Sequence, residues 1–304
     1  MLRWFPRILI ALCFCFATAA EAEERPVMAF VYHDDHGAPS PDQPPSQRDL
    51  YRLEVLTQAL ERTRGTYGDF TLTPSPAMHE KYRPSALEHG DEGINISYFP
   101  AKAGISDKLI PVRIPIHRGL IGYRVLTILA TDQPRFDRVR EAADLKAFRF
   151  GLLGSWDDVE ILQSDGLRVE TGSSQEGLFH MLDAKRCDAL SNSVPPATLL
   201  FDRYSPAYPA MAIEKQLLLH YPMPLYFWFR NTEDGRLRAE RVRAGLESMV
   251  RDGTLKALFH KHYDEVLKRL DFDHRRVIEL PNPTLDGHDP LDDPAFWYKP
   301  GETR

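Results

Sequence analysis

The sequence predicts an α/β protein built as two bodies joined by extended chain. Three observations predict it. Residues 27–99 alternate strand-like and helix-like segments, and residues 148–201 repeat the alternation. Two long apolar stretches broken by proline and glycine, 109–130 and 212–230, stand between and after these blocks. A β-α-β-α-β order favours a mostly parallel sheet with helices on its faces.

The elements follow in order. Residues 27–32 are β-branched and aromatic with polar flanks, which reads as a buried strand. A Pro/Asp/Ser loop follows at 33–47. Leu50, Leu53, Leu56 and Leu60 recur at helical spacing; Ser46 can cap this helix and Gly65 can end it. Residues 70–72 and 94–99 read as strands, with a helix over 77–88. Pro111, Pro115, Gly119 and Gly122 punctuate 109–130, which is expected to run between the two bodies. Strands at 148–153, 167–170 and 187–190 then alternate with helices at 155–163, 174–185 and 194–201. Ser173 and Glu176 have capping-box spacing. Val242, Leu246 and Met249 line one closing helix, ended by Gly253. Thr254 caps the next, whose stripe is Leu255, Leu258, Phe259, Val266 and Leu270. A Pro/Asp-rich tail at 281–304 carries Phe296, Trp297 and Tyr298.

Residues 1–22 have the form of a secretory signal peptide. Arg3 and Arg7 make a basic start, residues 8–20 are apolar or small, and Ala20-Glu21-Ala22 offers a cleavage site. The apolar run is shorter than the roughly 20 residues needed to span a bilayer. The mature chain is expected outside the cytoplasm and soluble. Its formal charge moves from −6 to −7 on cleavage, because Arg3, Arg7 and Glu21 leave. A mildly acidic chain has no electrostatic case for nucleic acid or anionic lipid as a main partner. Cys13 and Cys15 are preceded by Leu12 and Phe14, not by the small residue a lipid anchor needs. Only Cys187 then remains, so no internal disulfide forms; it reads as a small buried apolar residue at a strand start.

Three stretches carry a family resemblance. Residues 144–155, DLKAFRFGLLGS, resemble the entry D-L-x-G-x-x-V-G-x-x-x-G-[ST] to a second lobe. Residues 175–189, QEGLFHMLDAKRCDA, resemble the helix-strand unit E-A-x-x-A-L-x-x-G-[RK]-x-D-A. Residues 245–263, GLESMVRDGTLKALFHKHY, resemble the terminal helices L-x-x-L-x-x-D-G-T-L-x-x-I-x-x-K-[WY], and the D-G-T turn makes this the most specific of the three. These patterns are those of type II periplasmic solute-binding proteins of family 3, the polar amino-acid-binding group. The resemblance spans about residues 27–275. It implies a two-lobe periplasmic-binding-protein-like fold of type II with two hinge crossings. Lobe one would hold residues 27–128 and 220–280, and lobe two 129–219. It also implies a periplasmic location, a monomeric binding protein without cofactor, a small polar solute as ligand, and an inner-membrane permease or sensor protein as partner.

The family's ligand anchors are altered here. Its carboxylate-holding arginine in a T-P-x-R turn corresponds to the stretch 97–102, where Lys102 stands; Arg113 or Arg118 could supply a guanidinium instead. Lysine is a point charge and makes no bidentate fork. The amine-binding aspartate's place is taken by Ser193. The family's G-F-D-x-D helix start is replaced by Asp49-Leu-Tyr-Arg-Leu. The resemblance therefore implies the fold but not a standard amino acid as ligand.

The candidate ligand-binding residues are Tyr32, Asp34, Tyr98, Lys102, Arg118, Ser155, Trp156 and Ser193. They fall at strand ends and helix starts, where ligands of open α/β sheets bind. Gly154-Ser155 opens a helix whose free N–H groups suit an anion, although Ser155 with Asp158 can also form a self-contained cap. The cluster His33-Asp34-Asp35-His36 reads as a solvated loop, an organic-ligand contact or a metal site; four consecutive residues converge on a metal only through a special turn. His260 and His262 point to different helix faces and share no metal. No G-x-S-x-G, H-E-x-x-H, P-loop or G-x-G-x-x-G occurs, so no enzyme is expected. The readings carried forward are a solute-binding protein, an orphan sensor or adaptor of the same fold that signals through a partner, and a secreted enzyme or lytic-enzyme regulator.

Overall fold

A computed structural model describes residues 26–33, 46–78 and 80–302. The expected signal peptide and Asp34, with the rest of its His/Asp cluster after His33, lie outside the described residues. Strand β1 (Met28–Tyr32) leads to helix α1 (Gln47–Arg62), a further turn α2 (Arg64–Tyr67) and strand β2 (Phe70–Pro74). Ser46 caps α1 by accepting from the Asp49 N–H at 3.2 Å. The helical run stops at Gly68, not Gly65, because Gly68 takes the positive φ of 81° that ends α2 while Gly65 stays inside it. Helix α3 (Arg83–His89), β3 (Ile96–Pro100) and β4 (Leu109–Val112) complete the N-terminal block.

The chain then crosses to β5 (Tyr123–Leu129) and the short α4 (Gln133–Phe136). Next come β6 (Arg149–Leu153), α5 (Asp158–Ser164), β7 (Arg168–Gly172), α6 (Gln175–Asp183), β8 (Ala189–Ser193) and α7 (Val194–Tyr204). Ser174, one residue later than the sequence indicated, caps α6 through the Gly177 N–H at 3.0 Å. Strands β9 (Met211–Ile213) and β10 (Leu217–His220) precede the return crossing to β11 (Leu225–Arg230). Helices α8 (Glu233–Arg251) and α9 (Thr254–Arg269), split at Gly253 with φ 80°, lead to β12 (Arg276–Glu279) and the tail.

Two sheets result. The first has the order β2-β1-β3-β11-β4; the second has β12-β10-β5-β8-β6-β7, with β9 also on β5. In the first, β1 is parallel to β2 and β3, and β11 runs antiparallel between β3 and β4. In the second, β6 is parallel to β7 and β8, and β5 runs antiparallel to β8 and β10. The two lobes are thus built alike, although the sequence shows no repeat: each sheet takes as its antiparallel member the strand that has just arrived from the other lobe.

Sheet membership moves the expected lobe boundaries. β5 is buried along its whole length and hydrogen-bonded into the second sheet, so the first crossing is 113–122 and not the neighbourhood of residue 128. The second crossing is 221–224. β12 pairs in parallel with β10, which puts residues 276–279 on the second sheet instead of in lobe one. No helix among the described residues is long and apolar enough to cross a membrane.

Both faces of each sheet are covered by apolar packing. The largest cluster joins the first sheet to α1, α8 and α9 and continues through Ile114, Ile116 and Leu120 of the first crossing to Val194 and Ala197 of α7. On α1 the buried face is Tyr51, Arg52, Val55, Leu56, Ala59 and Leu60, so the leucine stripe is partly out of phase with the core: Leu50 is exposed and Leu53 half-buried.

Gly245 lets α8 approach α1 closely. A Cβ there would sit 2.1 Å from the Ala59 carbonyl oxygen. Gly-to-Ala in a helix otherwise gains about 0.8–1.0 kcal/mol of propensity. Forcing a backbone apart in a packed core costs about 1–3 kcal/mol and outweighs it. Gly245→Ala is expected to lower the urea midpoint of unfolding; an unchanged or raised midpoint would show that the two helices can separate freely.

Candidate functional site

A cavity of about 140 Å³ opens in lobe one, where β1 ends and β3 runs on beneath the start of α1. Register explains the place: Tyr32, the last residue of β1, pairs with Ile96, the first of β3, so Ser97 and Tyr98 extend past the neighbouring strand. Tyr32, Leu50, Leu53, Leu56, Ile96 and Phe227 give it mostly apolar walls. Leu50 and Leu53 are the same residues that fall outside the α1 core face, so the part of the leucine stripe that the core does not use lines the cavity.

The polar part is compact and basic. Arg52 is 4% exposed. Its Nη1 lies 3.2 Å from Asp49 Oδ1 and its Nε donates to His117 Nε2 at 3.1 Å. Its guanidinium lies 4.1 Å from the Tyr98 ring centre, and Arg83 lies 5.1 Å from the same ring. An arginine N–H can only donate, so His117 Nε2 accepts and its proton sits on Nδ1, 3.0 Å from the Tyr263 hydroxyl. Burial, then the charges of Arg52 and Arg48, hold His117 well below the usual histidine range and keep it neutral. His33 meets Tyr98 edge-on at 5.9 Å. The Ser97 hydroxyl is buried in the cavity wall with no hydrogen-bond partner among the described residues.

The structure brings Tyr32 and Tyr98 together in this cavity with His33 of the His/Asp cluster, and with Arg52 and Ser97, which the sequence reading did not single out. Helical phase could have found Arg52: it shares the buried face of α1 with Val55, Leu56 and Ala59. Lys102 lies elsewhere, just beyond β3, and its ammonium bridges to lobe two, 2.9 Å from Asp157 and 2.9 Å from Glu160 at the start of α5. Ser155 is exposed in the turn before α5, and Trp156 packs on the lobe-two core. Ser193 ends β8 at the N-cap of α7 without a side-chain capping bond. The start of α5 is answered by neither a Ser155 cap nor an empty N-terminus. Asp158 accepts from Arg124 Nε at 2.6 Å and from the Tyr221 hydroxyl in a buried cluster.

Arg118 does not face the cleft. It is 4% exposed with φ 48°, and its Nη2 donates to Glu302 at 3.0 Å. Arg113 likewise turns to the tail, 2.9 Å from both Asp286 and Asp289. Among the described residues no three His, Cys, Asp or Glu side chains converge as a metal site. Cys187 is buried against Gly151, and burial pushes its thiol up to about 12.

The two crossings meet at Gly122. Its carbonyl accepts from the Tyr221 N–H at 3.3 Å, and a Cβ there would lie 2.3 Å from the Tyr221 carbonyl oxygen. The tail ties both crossings. Asn282 Nδ2 donates to the Pro222 carbonyl at 2.7 Å, Tyr226 donates to Asp289 at 2.8 Å, and the Tyr298 N–H donates to the Arg118 carbonyl at 2.7 Å. Trp297 packs flat enough on Gly119 that a Cβ there would sit 2.3 Å from the ring.

No family model matches the sequence, and a search of characterised proteins returns no match. The fold has solved counterparts. An ancestral arginine-binding protein bound to arginine superposes at TM-score 0.51 with 16% identity, over 79% of this chain and 99% of that one. A histidine kinase sensor domain with similarity to periplasmic binding proteins gives TM-score 0.50 and 16% identity, over 78% and 96%. A structure from work on glutathione import through GshT and the cystine ABC importer TcyBC of Streptococcus mutans gives TM-score 0.52 and 12% identity, over 78% and 95%. The chain has the two-lobe fold of type II periplasmic binding proteins, as its sequence predicts.

The Arg113 guanidinium, then the Ser106 hydroxyl and the His288 N–H, hold the Asp286 carboxyl far below the usual range against the opposing effect of burial. A carboxyl depressed by folding stabilises fully above its unfolded value, about 3.9, and that contribution is lost as pH falls through the folded value. The melting gap between wild type and Asp286→Asn is therefore expected to be constant above about pH 5 and to shrink steadily below about pH 4. A gap that does not change with pH would show that Asp286 is not held ionised by Arg113.

Proposed function

We propose that this chain is an extracytoplasmic solute-binding protein that takes a small solute with an apolar body and a polar head into the lobe-one cavity. The carrying observation is the cavity itself: apolar walls, a buried Ser97 hydroxyl with no partner among the described residues, and the Arg52 guanidinium held over Tyr98. Arg52 sets the expected polarity of the head, an anion or strong acceptor, while the walls favour a branched or aromatic body. Tyr32 and Tyr98 serve as contacts in this reading. Lys102, Ser155, Trp156 and Ser193 stand at the strand ends of the opposed lobes, where a solute could compete for Lys102 once its bridge opens. Export to the periplasm, cleavage near Ala22, a monomeric mature form and delivery to an inner-membrane permease belong to the same proposal. Binding proteins of this fold include one bound to arginine and one studied in glutathione import.

A second reading is favoured by a specific observation. The lobes are bridged by Lys102 and both crossings are tied by the tail through side chains of this chain itself. A sensor or adaptor that relays the relation of its lobes to a partner protein would be built this way, and a histidine kinase sensor domain shares the fold.

A melting screen of small carboxylates, hydroxy acids and amino acids tests the first reading. A solute at a hundredfold excess over its Kd adds about 2.7 kcal/mol and raises the transition visibly. Ser97→Ala is expected to leave the unliganded melting temperature near wild type and to weaken the solute found by about 0.5–1.5 kcal/mol, measured by calorimetry. A screen in which nothing shifts the transition contradicts the solute-binding reading and leaves the second. Full affinity in Ser97→Ala moves the solute out of this cavity.

A further inference from the structure

A larger cavity, about 400 Å³, lies beside the hinge under the tail, away from the lobe-one cavity. Tyr123 and Trp297 are among its aromatic walls, His220 and Glu279 come from the paired ends of β10 and β12, and Lys299 stands on the tail. His220 is the informative residue. Its ring stacks on Tyr123 with centres 4.1 Å apart, and its Nδ1 lies 2.6 Å from Glu279 Oε2. A carboxylate only accepts, so the proton of the neutral ring is on Nδ1, and Nε2 presents a lone pair. That Nε2 is buried in the wall and has no hydrogen-bond partner among the described residues. A buried polar atom left without a partner is costly and is ordinarily satisfied. The Lys299 side chain is exposed and makes no ion pair with a carboxylate among the described residues.

We propose that this hinge-side pocket is a second ligand site and that it takes a small hydroxyaromatic acid. The hydroxyl donates to His220 Nε2, the ring lies among the aromatic walls, and the carboxylate meets Lys299. An aromatic body suits these walls because ring–ring contacts add to area burial. The polar ends follow from the two groups the pocket leaves uncommitted, an acceptor and a cation. The pocket shares His220 and Pro222 with the second crossing and its neighbour, and Trp297 and Lys299 with the tail. An occupant therefore bears on the hinge, and the proposal stands whether or not the lobe-one cavity holds a solute.

Calorimetric titration of the full mature chain with 4-hydroxybenzoate, phenol and benzoate tests this. Saturable one-site binding of 4-hydroxybenzoate in or below the millimolar range is expected, with benzoate at least tenfold weaker for want of the donor. His220→Phe keeps a ring stacked on Tyr123 but removes the acceptor, and should abolish the preference for 4-hydroxybenzoate over benzoate. Lys299→Gln should weaken 4-hydroxybenzoate and leave phenol unchanged. Ser97→Ala, in the other cavity, should change none of these affinities. No saturable binding of 4-hydroxybenzoate or phenol would overturn the proposal. So would an undiminished preference in His220→Phe, equal losses of both probes in Lys299→Gln, or a loss of binding in Ser97→Ala, which would place the probe in lobe one.

Discussion

The contact between Gly122 and Tyr221 is the constraint on which the rest of the structure depends. Two chains that connect two lobes must pass each other, and here they do so with backbone against backbone, at a distance that leaves no room for a Cβ. From that junction β5 enters the second sheet and β11 the first, each as the antiparallel member of an otherwise similar strand order. The carboxyl ends of the parallel strands are thereby turned toward the other lobe. Lys102 beyond β3 and Asp157 before α5 face each other for this reason.

The two sets of ties between the lobes differ in strength. Lys102, Asp157 and Glu160 keep a third or more of their side-chain surface in water. Such pairs are worth about 0–1 kcal/mol each, because solvent screens them and long side chains must be ordered. The ties at the crossings are better sheltered. Asp289 is nearly buried between Arg113 and Tyr226, Arg118 is buried with Glu302, and Trp297 closes over Gly119. The Lys102 bridge is accordingly the more solvent-screened of the two sets. This ordering suits a binding protein whose solute enters from the Lys102 side. It suits equally an adaptor whose lobes are joined by its own side chains, and the sheltered tail contacts are what favour the second reading.

Much of this was legible in the sequence, and the failures have physical causes. The D-G-T turn marked α8 and α9, and Ser46 marked the start of α1, because turns and caps are local chemistry. The stretch 109–130 read as one extended segment because β4, the crossing and β5 are all apolar; hydrophobicity does not say which sheet a strand joins. β12 passed unnoticed because it is four residues long and gains its partner, β10, from far back in the chain. Tyr32 and Tyr98, singled out because ligands of such sheets sit at strand ends, do line the lobe-one cavity, whose use as a binding site is our proposal. Arg52 was missed because the helix start that holds it departs from the family pattern, although its phase on α1 already placed it on the buried face. Arg118 was assigned to the cleft on charge alone; its positive φ, next to Gly119, turns it toward the tail instead.

The central claim is that the tail fixes the relation of the two lobes by holding the crossings. A distance measurement between spin labels tests it most directly. Labels at the exposed positions Asp91→Cys in lobe one and Glu176→Cys in lobe two would be compared in the full mature chain and in a chain ending at Leu280; Cys187 is buried and stays unlabelled. The account predicts one narrow distance distribution for the full chain and a broad or shifted one after truncation. Identical distributions, from a truncated chain that still unfolds cooperatively, would contradict it.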